Sequence, residues 1–255
     1  MHIAVAGNDI AGLTLALRLR IKGHDVAVHP SAPSAPLDER FTAIAPYRDL
    51  FLKSGVGLDD LIGLLPVQEP LRFAIDGRDI ELPPAGSQRA AVAAVFGDAA
   101  AEHWAALLEH AADVWSQVRS GKYLPSTSLR RVARRRLPDR RLQTLLLGWN
   151  DATAADVSDA AVVFPYLTQT FGLWTFDGGL PRFESVLRMR CEERGVHFET
   201  TAAPADALAV RDHFSSMFAA PARPFRRSAP VATETLGLPF IGMAAEAIAE
   251  RIGRA

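Results

Sequence analysis

His2-Ile3-Ala4-Val5-Ala6-Gly7-Asn8-Asp9-Ile10-Ala11-Gly12 opens the chain, and its reading decides the fold. The stretch from His2 to Ala6 has the composition of a short buried strand, and Gly7 to Gly12 stand where a turn into a helix belongs. Leu13, Leu15, Ala16, Leu17 and Leu19 give that helix an apolar stripe. Gly23-His24 ends it, and Asp25-Val26-Ala27-Val28 supplies a second strand. Strand, glycine-bearing turn, helix and strand in this order make a βαβ unit.

The turn is close to the G-x-G-x-x-G pattern of a Rossmann-like dinucleotide site, with two parts replaced. In the complete pattern the middle glycine lets the backbone approach a pyrophosphate, which the helix N-terminus then stabilises. Here that position is Asp9, between Gly7 and Gly12. Two like charges ~4 Å apart repel by ~4 kcal/mol at an effective dielectric near ~20. The acidic residue expected after the second strand would bond a ribose hydroxyl, a bond worth roughly 1.5–3 kcal/mol. His29-Pro30 stands there instead, which puts His29 beside the ribose position. The two replacements together predict a dinucleotide affinity weakened by about three powers of ten or more. The expectation is an α/β fold, a Rossmann-like FAD/NAD(P)-binding type of domain in which the dinucleotide is held weakly or, as the favoured outcome, not at all.

The 255 residues suit one large domain or two small ones, and the net charge of −1 does not point to nucleic acid. A single cysteine, Cys191, excludes an internal disulfide and any multi-cysteine zinc site; it lies in an amphipathic stretch and reads as a packed thiol. The seven histidines show no metal-ligand spacing; His103 and His110 can share a helix face but have no third ligand nearby. The opening strand lacks the basic region and cleavage site of a signal peptide, and no apolar run is long enough to span a bilayer. These features predict a cytoplasmic protein, peripheral to a membrane at most.

Further along, Ser31 to Pro36 is a Pro-rich connection and Pro46 to Ser54 a helix with Tyr47, Leu50 and Phe51 as its apolar positions. Leu71–Ile75 and Asp79–Leu82 flank Asp76-Gly77-Arg78, a hairpin signal. Gln88 to Trp149 is mostly helical, with Trp104, Leu107, Leu108 and Trp115 at core spacing. Ala160 to Phe171 is apolar and aromatic. A helix is expected from Phe183 to Arg194, a strand from Val196 to Thr200, and a short helix near Arg211–Phe218. A Gly-Pro loop at Gly237-Leu238-Pro239 then leads into a final helix ending near Ile252.

Four of these segments, in order, resemble the phytoene desaturase branch of the FAD-dependent, amine-oxidase-like oxidoreductase superfamily. They are the βαβ start, Phe41–Pro83, Trp174–Thr200 and Gly237–Ile252. The most specific is Trp174-x-x-x-Gly178-Gly179-x-x-Arg182 followed by a helix and Gly195-Val196, which is similar to the family's W-x-x-x-GG element. The resemblance implies flavin contacts at Gly178 and Gly179, and at Gly237 and Pro239, where the family's C-terminal loop and helix approach the isoalloxazine ring. It covers most of this chain but not most of a family member. The shortfall falls between Thr200 and Gly237, and Ser31–Arg40 holds no glycine where the family has a Gly-Gly-Arg phosphate element. The resemblance is therefore to a truncated, degenerate member. It implies a division into a discontinuous nucleotide domain, 1–40 with 172–255, and an inserted, mostly helical cap over 41–171 that carries the hairpin. It also implies an apolar polyene or isoprenoid-like ligand, with hydride transfer to flavin as the chemistry and no acid or base assigned. Two alternatives stand beside it: a non-redox isomerase or cyclase, and a catalytically inactive partner subunit of a full-length desaturase-like enzyme.

Arg130, Arg131, Arg134, Arg135, Arg136, Arg140 and Arg141 form a dense basic stretch broken by Leu137-Pro138-Asp139. On a continuous helix residues 130, 134 and 141 fall near one face. Such a stretch is either a solvated face or an anion-binding surface for acidic lipid headgroups, an acidic protein partner or a phosphorylated carrier. Aromatic residues are not interleaved with the arginines, which argues against nucleic acid.

Overall fold

The computed structural model describes residues 1–31, 37–120, 122–123, 126–149, 157–210 and 237–255. The expected short helix near Arg211–Phe218 and most of the connection Ser31–Pro36 lie outside the described residues. The described residues divide into two compact units, one drawn from those within 1–65, 174–214 and 236–255 and the other from those within 66–173. Residues 41–65, which the sequence division assigns to the inserted part, therefore pack in the first unit.

The first unit opens with β1 (His2–Ala6), α1 (Ile10–Ile21) and β2 (Asp25–His29). The two strands pair in parallel, from His2 opposite Asp25 to Ala6 opposite His29. Leu13, Leu15, Ala16, Leu17 and Leu19 of α1 are wholly buried, and Thr14 and Arg18 are buried with them. A helix buried on nearly every side is covered by several partners. These are the sheet, α2 (Ala45–Lys53) and two later helices. The turn and helix after α2 lead to β3 (Leu64–Pro66).

The second unit begins with an antiparallel hairpin, β4 (Leu71–Ile75) and β5 (Arg78–Leu82), with Ile75 opposite Arg78. Its two-residue turn has positive φ at both Asp76 (49°) and Gly77 (74°), the signature of a type I′ turn, which matches the twist of the flanking strands. Then follow α3 (Arg89–Phe96), α4 (Asp98–Arg119), α5 (Leu129–Arg136), α6 (Arg140–Gly148) and α7 (Val163–Phe171). Trp104, Leu107, Leu108 and Trp115 of α4 are buried, as their spacing predicts. The Trp104 indole N–H donates to Gln88 at 3.0 Å, and the Gln88 amide donates in turn to the Pro165 carbonyl at 3.0 Å. A buried polar pair of this kind stays in place because both members are satisfied.

The chain returns to the first unit with β6 (Trp174–Phe176), α8 (Gly179–Glu193), β7 (His197–Phe198) and the last helix, α9 (Gly237–Ile252). β7 adds in parallel to β2, giving the order β1-β2-β7. Only two residues of the expected Val196–Thr200 strand are in it. α8 starts four residues earlier than Phe183, because Pro181 sits in its first turn, where a missing N–H costs nothing. The same reason corrects the expected loop at Gly237–Pro239: Pro239 lies in the first turn of α9, so the segment is helical. α9 runs parallel to α1, since Glu246 meets Arg18 at 3.4 Å and Glu250 meets Lys22 at 2.9 Å.

Between these helices Phe176 stacks on Phe183 with ring centroids 4.2 Å apart, Phe41 tilts against Phe176 at 4.6 Å, and Tyr47 meets Phe183 edge-on at 5.1 Å. Phe183 is completely buried. Phe183→Ala should therefore lower the unfolding free energy by about 3–5 kcal/mol in urea titrations. A cost under about 1 kcal/mol would contradict its place at the centre of this cluster.

Candidate functional site at the first strand-helix turn

Gly7 leaves β1 with φ at +110°, and its N–H donates to the His29 carbonyl at 2.9 Å, tying the turn to the end of β2. Gly12 lies against the same turn so closely that a Cβ there would stand 1.8 Å from the Gly7 carbonyl oxygen. The first and last glycines of the dinucleotide pattern thus keep their structural roles, a tight turn and close helix-strand packing.

The middle position differs. Asp9 is the N-cap of α1 (φ −90°, ψ 179°), and its carboxylate accepts from the Gly12 amide at 3.0 Å. Helix N-termini carry unsatisfied N–H groups and a partial positive charge, which a bound phosphate or a capping carboxylate can serve. Here the protein's own side chain serves one of them. The space above Gly7 is also lined from within: its Cβ position is 3.3 Å from an Asp9 carboxylate oxygen and 3.5 Å from the Ser31 hydroxyl.

A further carboxylate, Glu184, lies within reach of the Asp9 charge, and another, Glu39, stands at the start of α8; the sequence pattern marks neither as part of the turn. The Cβ position of Gly179 is 3.3 Å from a Glu39 carboxylate oxygen. Glu184, on α8, has its pKa raised first by burial and then by the charge of Asp9, with Arg188 opposing both. Arg188 donates to the Asn8 carbonyl at 3.1 Å and lies over the Phe198 ring at 4.7 Å, so α8 braces the turn and the sheet edge together. The i, i+4 spacing of Glu184 and Arg188 on the helix after Gly178-Gly179 is the signal that marks them.

His29 ends β2, and its ring Nδ1 lies 3.2 Å from the Thr201 carbonyl. Gly178 and Gly179 open α8, the helix that reaches the turn through Arg188. Gly237 and buried Pro239 begin α9, and the parallel run of α9 along α1 sets its start at the same end as Asp9. Cys191 is buried with its thiol 3.5 Å from the Leu13 carbonyl, and burial pushes its pKa up to about 12, so it is an unreactive packed thiol.

The basic stretch belongs to the second unit. It is corrected in one respect: Arg141 does not share a helix with Arg130 and Arg134. Leu137-Pro138-Asp139 ends α5, and Asp139 caps a new helix by accepting from the Arg141 amide at 2.9 Å. The Arg141 side chain is paired to Asp139 at 2.6 Å and lies over the Phe96 ring at 4.8 Å. Among the described residues there is no helix long and apolar enough to cross a membrane and no cluster of His, Cys, Asp and Glu suited to a metal ion.

No family model and no curated protein matches the chain. Solved structures do. An oxidoreductase from Methanosarcina mazei superimposes with a TM-score of 0.52 at 15% identity, covering 78% of this chain and 51% of that structure. A putrescine oxidase bound to putrescine, solved in work on redesigning its cofactor binding, superimposes with a TM-score of 0.51 at 14% identity, covering 82% of this chain and 56% of the oxidase. The chain therefore has an oxidoreductase-like fold and spans about half the length of these two structures.

Two substitutions test the site's geometry. Asp9→Ala removes the cap and should cost ~1 kcal/mol in urea unfolding, whereas Asp9→Asn should cost much less. Glu184→Gln should raise the melting temperature at neutral pH. Because the folded-state pKa of Glu184 is raised, its ionised form is penalised in the folded protein. The advantage of the variant should be full above that raised value and vanish as pH falls below the ordinary carboxylate range. A pH-independent difference would contradict it.

Proposed function

We propose that the chain is a flavin-oxidoreductase-like protein whose dinucleotide site is closed from within, so that FAD is bound weakly or not at all. The observation that carries this reading is the Asp9 carboxylate on the Gly12 amide at 3.0 Å. A pyrophosphate at that helix end would have to displace the carboxylate from its hydrogen bond and still sit within a few ångströms of its charge. Glu184 adds a carboxyl group to the same surroundings. His29, bonded to a main-chain carbonyl, and Pro30 offer no carboxylate to a ribose hydroxyl. The residues present thus do not fit an anionic dinucleotide, and no hydride-transfer step is derived for this protein. The reading retains an apolar, polyene- or isoprenoid-like molecule as ligand; its support is the resemblance of Trp174–Thr200 and Gly237–Ile252 to the desaturase-like segments.

The purified protein should be colourless and should show no saturable change when titrated with FAD at micromolar concentrations. Asp9→Gly combined with Glu184→Gln removes two of the carboxylates at little cost to the cap and should tighten FAD binding at least about tenfold, a change of ~1.4 kcal/mol. A wild-type protein isolated with a stoichiometric flavin absorbance would overturn the proposal.

A further inference from the structure

The arginines of α5 take no part in the strand-helix turn, and their arrangement calls for its own account. Arg130, Arg131, Arg134, Arg135, Arg136 and Arg140 are all exposed, while Leu129, Val132, Ala133 and Leu137 are buried. Among the described residues none of the six arginines is ion-paired with a carboxylate, in contrast to Arg141. At ~100° per residue, Arg130, Arg131, Arg134 and Arg135 lie in an arc of about 140° along ~7.5 Å of helix. Arg130 and Arg134, and likewise Arg131 and Arg135, are like-charge i, i+4 neighbours, which weakens an exposed helix. The charge is also segregated. Leu129–Arg141 holds seven arginines against Asp139 alone, so with the whole chain at −1 the remaining residues carry −7.

We propose that this face of α5 docks on the anionic phospholipid surface of a bilayer. Guanidinium groups match phosphate oxygens in a two-pronged geometry, and attraction to an acidic leaflet needs only charge near the surface. A protein partner is less suited: stable protein interfaces have an apolar core, and every apolar residue of α5 is turned inward. Among the described residues the exposed large apolar side chains, Met1, Leu52, Leu65, Phe171 and Met189, lie elsewhere in the chain. A single-stranded nucleic acid would find no aromatic residue on α5 to stack its bases. With the remaining residues at a net −7, attraction to a polyanion is concentrated on the basic stretch, which suits a flat surface better than a polyanion that surrounds the protein.

Co-sedimentation of the full chain with vesicles of phosphatidylserine and phosphatidylcholine tests the proposal, against phosphatidylcholine alone. Binding should need the acidic lipid and be lost at high salt, because exposed charges are screened beyond ~10 Å at about 0.1 M. Replacing Arg130, Arg131, Arg134 and Arg135 together by Gln should weaken binding about 100-fold or more, and replacing them by Lys should retain it. The Gln variant should melt no lower than wild type, since like-charge pairs are removed. Equal binding by the Gln variant, equal binding to neutral vesicles, or no binding at low salt overturns the proposal. So does tighter binding to duplex DNA or to RNA than to the acidic vesicles.

Discussion

A helix end enclosed by protein must find acceptors for its N–H groups, and the first unit depends on how α1 meets that demand. In a nucleotide-loaded βαβ unit the phosphate supplies acceptor oxygens and negative charge at that point. Here Asp9 supplies both, by accepting from the Gly12 amide. The carboxylate belongs to the chain, so the Gly12 amide is satisfied without a ligand.

The consequences spread through the contacts of α1. Its burial leaves it unable to be an ordinary amphipathic surface helix; α2, α8 and α9 cover it on the faces that the sheet does not. Arg18 shows how tightly they are coupled. It is 6% exposed, donates to the Pro46 carbonyl at 2.8 Å, and meets carboxylates of α2 at Asp49 and of α9 at Glu246. A buried guanidinium is tolerated only when it is paired and hydrogen-bonded. At the other end of α2, Arg190 and Arg194 of α8 both donate to the Ser54 carbonyl, placing positive charge at a helix C-terminus. The same helix α8 carries Arg188 to the Asn8 carbonyl. Helices drawn from distant parts of the chain thus pack on α1, and α8 brings the charged groups of Glu184 and Arg188 to its first turn.

Much of this was legible in the residues. The strand-turn-helix-strand order, the hairpin around Asp76-Gly77 and the core spacing of Trp104 to Trp115 follow from local periodicity and turn chemistry, which do not depend on what lies far away. Asp9 was legible as a departure but only half so as a cause. Read against the glycine pattern it is a repulsive defect; in the structure it is an N-cap, a role that aspartate at a helix start fills on local grounds alone. What periodicity could not carry was phase across a break: Pro138 and Asp139 restart the helix, so Arg141 leaves the face of Arg130 and Arg134. Nor could it bring Glu184 to the turn, or join Phe41, Tyr47, Phe176 and Phe183 into one aromatic cluster, because these meetings exist only after the chain folds.

The claim that the protein's own carboxylate stands in for a phosphate is tested most directly by a crystal structure grown with millimolar FAD. The account predicts the Asp9 carboxylate on the Gly12 amide and no pyrophosphate density over Gly7. A pyrophosphate bonded to the N-terminus of α1, with Asp9 swung away from Gly12, would contradict it.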